Sequence, residues 1–159
     1  MAQITKSTIP PVTLDEFKNH LHMFTNDFDS NLELDLRAAI AKAEGFINAA
    51  IWQVSQQVSV PFVKKVNVAG YNAVVSNVKV DGQEVAYTYI EGIIEVESTQ
   101  GKVLTYDVTK GYTNTDCPDD IKMAILLIAS KFFNSPVDSV ENLPSASQSL
   151  LHPYKNYNL

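Results

Sequence analysis

Cysteine is almost missing from this chain. Cys117 stands alone among 159 residues, so neither an intramolecular disulfide nor a thiolate metal cluster can form. Glycine is also sparse: the six residues at 45, 70, 82, 92, 101 and 111 lie too far apart for a phosphate-cradling loop. No G-x-S-x-G elbow is present to raise a nucleophilic serine. No apolar run approaches the roughly 20 residues that cross a bilayer, so no membrane span is expected. The first eleven residues hold one lysine and no apolar segment, which predicts no signal peptide and a cytoplasmic site in the cell that makes the chain.

Positive charge is also short. Lys and Arg number 12 against 18 Asp and Glu, and the deficit is spread as −3, −1 and −2 over residues 1–53, 54–112 and 113–159. No basic stripe grips phosphates, which argues against tight or sequence-specific DNA binding. A surface past which DNA slides without sticking remains compatible with this balance.

What is present is an ordinary globular composition, 45% hydrophobic and 19% charged, long enough for one domain spanning 1–159. Residues 1–12 carry Pro10 and Pro11 without periodicity and read as an extended arm, either a frayed end or a contact to a neighbouring subunit. Residues 13–53 read as helical. Thr13-Leu14-Asp15-Glu16 has the S/T-x-x-E form of a capping box, followed by Leu14, Phe17 and Leu21 on one face. Asp29 or Ser30 is placed to cap a second helix, in which Leu32, Leu36, Ala39, Ile40, Ala43, Phe46, Ile47, Ala50 and Ile51 recur at helical spacing to about residue 52. Gly45 inside that helix predicts a tight packing contact.

From Val54 the period changes to two. Short β-branched and aromatic runs fill 54–112, punctuated by Asp81-Gly82, Glu91-Gly92 and Gln100-Gly101, and they predict a small antiparallel β-meander. Pro61 belongs at an edge or a strand start. The expected class is α+β: a mainly helical bundle with the β-meander inserted between the second and the last long helix.

Residues 113–152 return to helix. Asp116 reads as an N-cap, Pro118 suits the first turn, and Asp119 and Asp120 complement the helix dipole. Ile121, Ala124, Ile125, Ile128 and Phe132 form an apolar stripe, while Met123, Leu126, Leu127 and Phe133 cover much of the remaining circumference. A helix that is apolar nearly all round is either a central helix wrapped by its own domain or one that meets another subunit. Met123, Leu126 and Phe133, lying off the main stripe, are the candidate subunit-interface residues. Beyond Pro136 and Pro144, Ser145 to Leu151 reads as a short helix seating Leu150 and Leu151. The tail 153–159 is either a disordered end or a docking peptide.

No residue set predicts catalysis. His20 and His22, two apart on a helix, would point about 200° from each other, and His152 sits beside Pro153. Cys117 stands at a helix N-terminus, where a thiol pKa is lowered, but no histidine is near it in sequence. Asp119 and Asp120 are better explained as helix-start charges than as an acid/base pair. The expectation is no enzyme, no cofactor and no metal.

One resemblance gives these pieces a purpose. The segments V-T-L-D-E-F-K-N-H-L and A-A-I-A-K-A-E-G-F-I-N-A-A-I, the β runs ending in K-V-L-T-Y-D-V-T-K-G-Y, the helix C-P-D-D-I-K-M-A-I-L-L-I-A-S-K-F-F, and the closing L-P-S-A-S-Q-S-L-L-H-P-Y-K resemble, in that order, the head–tail connector (adaptor) family of tailed bacteriophages. Members often end the hallmark helix with a charged or Arg-containing turn, where this chain has Phe132-Phe133-Asn134-Ser135-Pro136. The resemblance implies a structural virion protein at the head–tail interface, present in the host cytoplasm before assembly. About twelve copies would form a closed ring under the portal protein through a repeated heterologous contact. That ring would extend the DNA channel, without sequence-specific contact to the DNA in its lumen, and would meet a downstream neck or tail protein. Another phage neck or tail-completion role, and a small non-enzymatic ligand- or peptide-binding module, stand as alternatives.

Overall fold

A computed structural model describes residues 3–135 and 143–157. The class is α+β, as expected, with four helices and eight strands in two antiparallel sheets among the described residues. The chain forms two compact units. Met1–Thr8 with Gln53–Gly111 make the β unit, and Ile9–Trp52 with Tyr112–Leu159 make the helical unit.

The helical unit contains α1 (Leu14–His20), α2 (Asp29–Ile47), α3 (Asp119–Asn134) and α4 (Ser145–Leu151), followed by one 3-10 turn (His152–Tyr154). The capping box forms as read: Thr13 Oγ1 accepts the Glu16 N–H at 3.2 Å, and Glu16 Oε2 accepts the Thr13 N–H at 3.0 Å. Helix α2 buries Leu32, Leu36, Ala39, Ile40, Ala43 and Ile47, which lie on one face. Three expectations for α2 need correction. Asp29 is its first residue, so Phe28 stands at the N-cap position and no side chain caps it. The helix stops at Ile47 because Asn48 takes a left-handed conformation (φ 56°), a C-terminal geometry that asparagine tolerates. Ile51 is still buried, but on a returning segment whose Ile51 and Trp52 N–H groups both donate to Glu44 Oε1 at 2.9 Å. Gly45 faces open space and makes no tight contact.

Helix α3 begins at Asp119 with Pro118 at the cap position. Asp116 is not its cap; its carboxylate instead accepts the N–H and hydroxyl of Thr113, at 2.6 and 3.0 Å. Ile121, Ala124, Ile125, Ile128 and Ala129 are buried, and Phe132 is half-buried. Helix α4 has the predicted bounds. Leu151 is fully buried, Leu150 partly so, and Ser147 Oγ donates to the Ala124 carbonyl at 3.3 Å. The described part of the tail is held rather than free: the Asn156 N–H donates to the Ile47 carbonyl at 2.7 Å. Pro136 lies outside the described residues.

In the β unit, β1 (Ile4–Lys6), β2 (Val54–Pro61), β8 (Val103–Lys110), β4 (Val74–Val80) and β5 (Gln83–Glu84) form one sheet in that order. A second sheet has the order β3 (Lys65–Asn67), β7 (Ile93–Val96), β6 (Tyr87–Ile90). The strand order therefore departs from a sequential meander, since β8 lies between β2 and β4. The physical reason is length and pattern: β2 and β8 pair over their full extent, Val54↔Lys110 to Pro61↔Val103, and β8 alternates buried Leu104, Tyr106 and Val108 with partly exposed residues. Val75, Val78, Val80, Ile94, Val96 and Leu104 belong to one apolar core.

Two of the three glycine turns behave as read. Asp81-Gly82 (φ 51°, 82°) and Glu91-Gly92 (φ 52°, 78°) have the paired left-handed residues of a type I′ hairpin. Gly101 is required for a different reason, because a Cβ there would run into Val80 Cγ1 and the Phe62 ring. Pro61 sits at the end of β2, beyond the reach of β1, which pairs only with Val54, Ser55 and Gln56. The arm is neither simply frayed nor irregular, since its residues 4–6 are an edge strand of this sheet.

Candidate functional site

Helix α3 exposes part of the apolar circumference that the sequence predicts. Met123 is 44% exposed, while Leu126, Leu127, Ser130 and Phe133 are half-buried. Met123, Leu126, Ser130 and Phe133 fall at i, i+3, i+7 and i+10, so the three candidate interface residues share one side of the helix, apart from the buried Ile121–Ile128 stripe. Among the described residues of the helical unit, none covers Met123 fully.

A polar hub fixes the start of that helix. Glu16 on α1 takes the Lys122 ammonium at 3.1 Å on Oε1, and the Thr13 N–H at 3.0 Å and the Asn114 amide at 2.9 Å on Oε2. Burial works against the Glu16 charge, but the Thr13, Asn114 and Lys122 bonds outweigh it and hold its carboxyl below the ordinary value. The same end of α3 holds Cys117, only 6% exposed. Its position at a helix start was expected to lower the thiol pKa; instead desolvation pushes it up to about 12. A thiol so placed is inert at neutral pH.

Two features of the helical unit escaped the sequence reading. The first is the loop between α1 and α2. Lys18 Nζ bonds Asn26 Oδ1 at 2.6 Å and Asp29 Oδ1 at 2.9 Å, while the Met23 N–H donates to the Lys18 carbonyl at 2.9 Å. These bonds tie the loop down at both ends and leave Phe24 87% and Phe28 48% exposed. The second is a shallow groove of about 560 Å³ lined by Phe46, Ser145, Gln148, Ser149, His152 and Pro153. Lys155 Nζ lies 4.9 Å from the centroid of the Phe46 ring at its margin. The signal for the first was the aromatic pair in M-F-T-N-D-F-D; the groove had none, because α4 meets α2 only through the tertiary fold.

His20 ends α1, and His22 is outside any helix with φ 55°, so the two are not presented on one helix. His152 Nε2 pairs with the Tyr157 hydroxyl at 3.3 Å. Among the described residues, no group of three His, Cys, Asp or Glu is arranged to hold a metal ion, and no helix is long and apolar enough to cross a membrane. In the β unit, a second shallow groove of about 560 Å³ runs over β1, β2, β4 and β8, lined by Thr5, Ser55, Gln57, Ser76, Asp107 and Thr109 among others, with no lysine or arginine.

No protein-family model matches the chain, and neither does any curated protein. Solved structures do match over almost its whole length. A chain in the neck of a native GTA particle, computed with C12 symmetry, superposes with a TM-score of 0.68 at 20% identity, covering 99% of this chain and 97% of that one. A chain in the virion of a native gene transfer agent (GTA) particle gives a TM-score of 0.66 at 17% identity and the same coverage. A chain in the neck of an empty GTA particle, computed with C6 symmetry, gives 0.65 at 19% identity, again over 99% and 97%. At such identities the likeness is one of fold, and it agrees with the connector resemblance read from the sequence.

Proposed function

We propose that this chain is a structural neck subunit, a head–tail connector of a phage or prophage particle, and not an enzyme. Copies form a closed ring, of about twelve subunits, beneath the portal protein; the ring extends the DNA channel and joins head to tail. The observation that carries this reading is the end-to-end correspondence of fold with chains of GTA necks, covering 99% of this chain and 97% of theirs. A fold shared over a shorter stretch would speak only for a module.

Physical features support the same reading. Ring subunits need apolar surface that the isolated chain leaves uncovered, and the Met123–Phe133 side of α3 supplies it. A channel wall must not retain DNA, and a chain with 12 cationic against 18 acidic side chains releases few counterions to phosphates. The protein acts at the head–tail interface of the virion, after a period in the host cytoplasm. Its partners are the portal, a downstream neck or tail protein, and itself.

Met123→Glu with Phe133→Glu tests the interface. Both positions are only partly buried, so the variant folds with an unchanged circular-dichroism spectrum yet fails to enter rings or portal complexes. Normal assembly of this variant would remove the α3 face from the interface.

A further inference from the structure

We infer that neighbouring copies interlock head to tail by seating the Phe24–Phe28 loop of one chain in the Phe46–Pro153 groove of the next. The occupant is thus a second copy of this chain, and the inference rests on the ring reading above.

Both surfaces belong to the helical unit, and α2 separates them. Phe28 stands at its N-cap and Phe46 in its last turn, about 27 Å apart along the axis at about 1.5 Å per residue. A knob and a socket at opposite ends of one helix cannot meet within a chain. They also differ from each other, so the contact is heterologous and propagates from copy to copy, the form of interface that closes into rings.

The knob is ready-made. The Lys18 bonds to Asn26 and Asp29 fasten the loop before any partner arrives, which reduces the ordering cost of binding. Phe24, at 87% exposure, is the most exposed large apolar side chain of the described residues. Aromatic side chains, phenylalanine among them, are enriched at the cores of interfaces. The socket offers an aromatic wall at Phe46 and an apolar edge at Pro153, with Ser145, Gln148, Ser149 and His152 as polar rim.

Charge agrees with shape. Asp27 is exposed in the loop between the two phenylalanines, while Lys155 places its ammonium over Phe46 at 4.9 Å. Docking Phe24 toward Phe46 brings an acid to a base across the contact, which fixes orientation as well as attraction.

The test is a disulfide trap in the full chain. Thr25→Cys, at the exposed position beside Phe24, and Ser149→Cys are combined, with Phe24 kept and Cys117 left in place because it is buried, and the assembled protein is oxidised. The expected result is a ladder of covalent multimers on a non-reducing gel, absent from either single variant. In parallel, Asp27→Lys and Lys155→Glu each weaken self-association about tenfold, and the double reversal restores it. Rings without a ladder and without rescue overturn this contact while leaving the ring reading intact. Absence of any oligomer, alone or with portal, together with absence of the ladder, overturns both.

Discussion

Lys122 Nζ lies 3.1 Å from Glu16 Oε1, a bond that ties the first turn of α3 to the first turn of α1. The same carboxylate closes the Thr13 capping box and holds the Asn114 amide. One side chain thus sets where two helices of the helical unit begin. The pair is partly exposed, at 35% and 19% of its side-chain surfaces, so its Coulombic part is modest and the cap and amide bonds matter as much.

Glu16→Gln should lower stability at pH 7 by about 1 kcal/mol. The sign with pH follows from the lowered carboxyl pKa of Glu16. Its contribution is fully present above the ordinary value of 4.5 and fades as pH falls through the lower folded value. Urea denaturation at pH 7 and pH 3 checks this: the gap between wild type and variant narrows at pH 3. A gap that stays constant would mean that the charge contributes nothing.

Two glycines should respond oppositely to alanine. Gly101→Ala forces a methyl into Val80 and Phe62 and destabilises the β unit by about 1–3 kcal/mol. Gly45→Ala points into open space within α2 and stabilises by about 0.5–1 kcal/mol. Thermal melting of the two variants separates them.

Cys117 should resist modification. With the thiol 6% exposed and its pKa pushed up to about 12, a thiol reagent at pH 8 reacts slowly with the native chain and rapidly in denaturant. Rapid native labelling would show that the start of α3 opens readily.

The short helix α4 should be energetically uneven. Leu151→Ala, at a fully buried site, costs about 2–5 kcal/mol, whereas Leu150→Ala, only partly buried, costs less than half as much. Denaturant midpoints give both values.

Much of the fold was legible where one residue's chemistry decides a local outcome. Thr13 and Glu16 close their box, Asp81-Gly82 and Glu91-Gly92 form their turns, and Ser145–Leu151 is a helix because these signals act over three or four residues. The α+β class follows from the change of period at Val54. The strand order was not legible, because β8 pairs with β2 across more than forty residues and only tertiary packing selects that pairing. Gly45 and Gly101 exchanged roles for the same reason: whether a glycine faces a neighbour depends on what the rest of the chain brings there. Of the α3 face proposed as an interface, the off-stripe placement of Met123, Leu126 and Phe133 follows from helical periodicity, while their degree of exposure does not. The exposure of Phe24 was not, since a phenylalanine in a loop reads equally well as buried.

Ring assembly is decided by solution mass from light scattering, alone and with the portal, with negative-stain imaging of the large species. Closed rings or a stable portal complex of cyclic symmetry are the expected result. A chain that stays a 17.6 kDa monomer at high concentration and ignores the portal would contradict it.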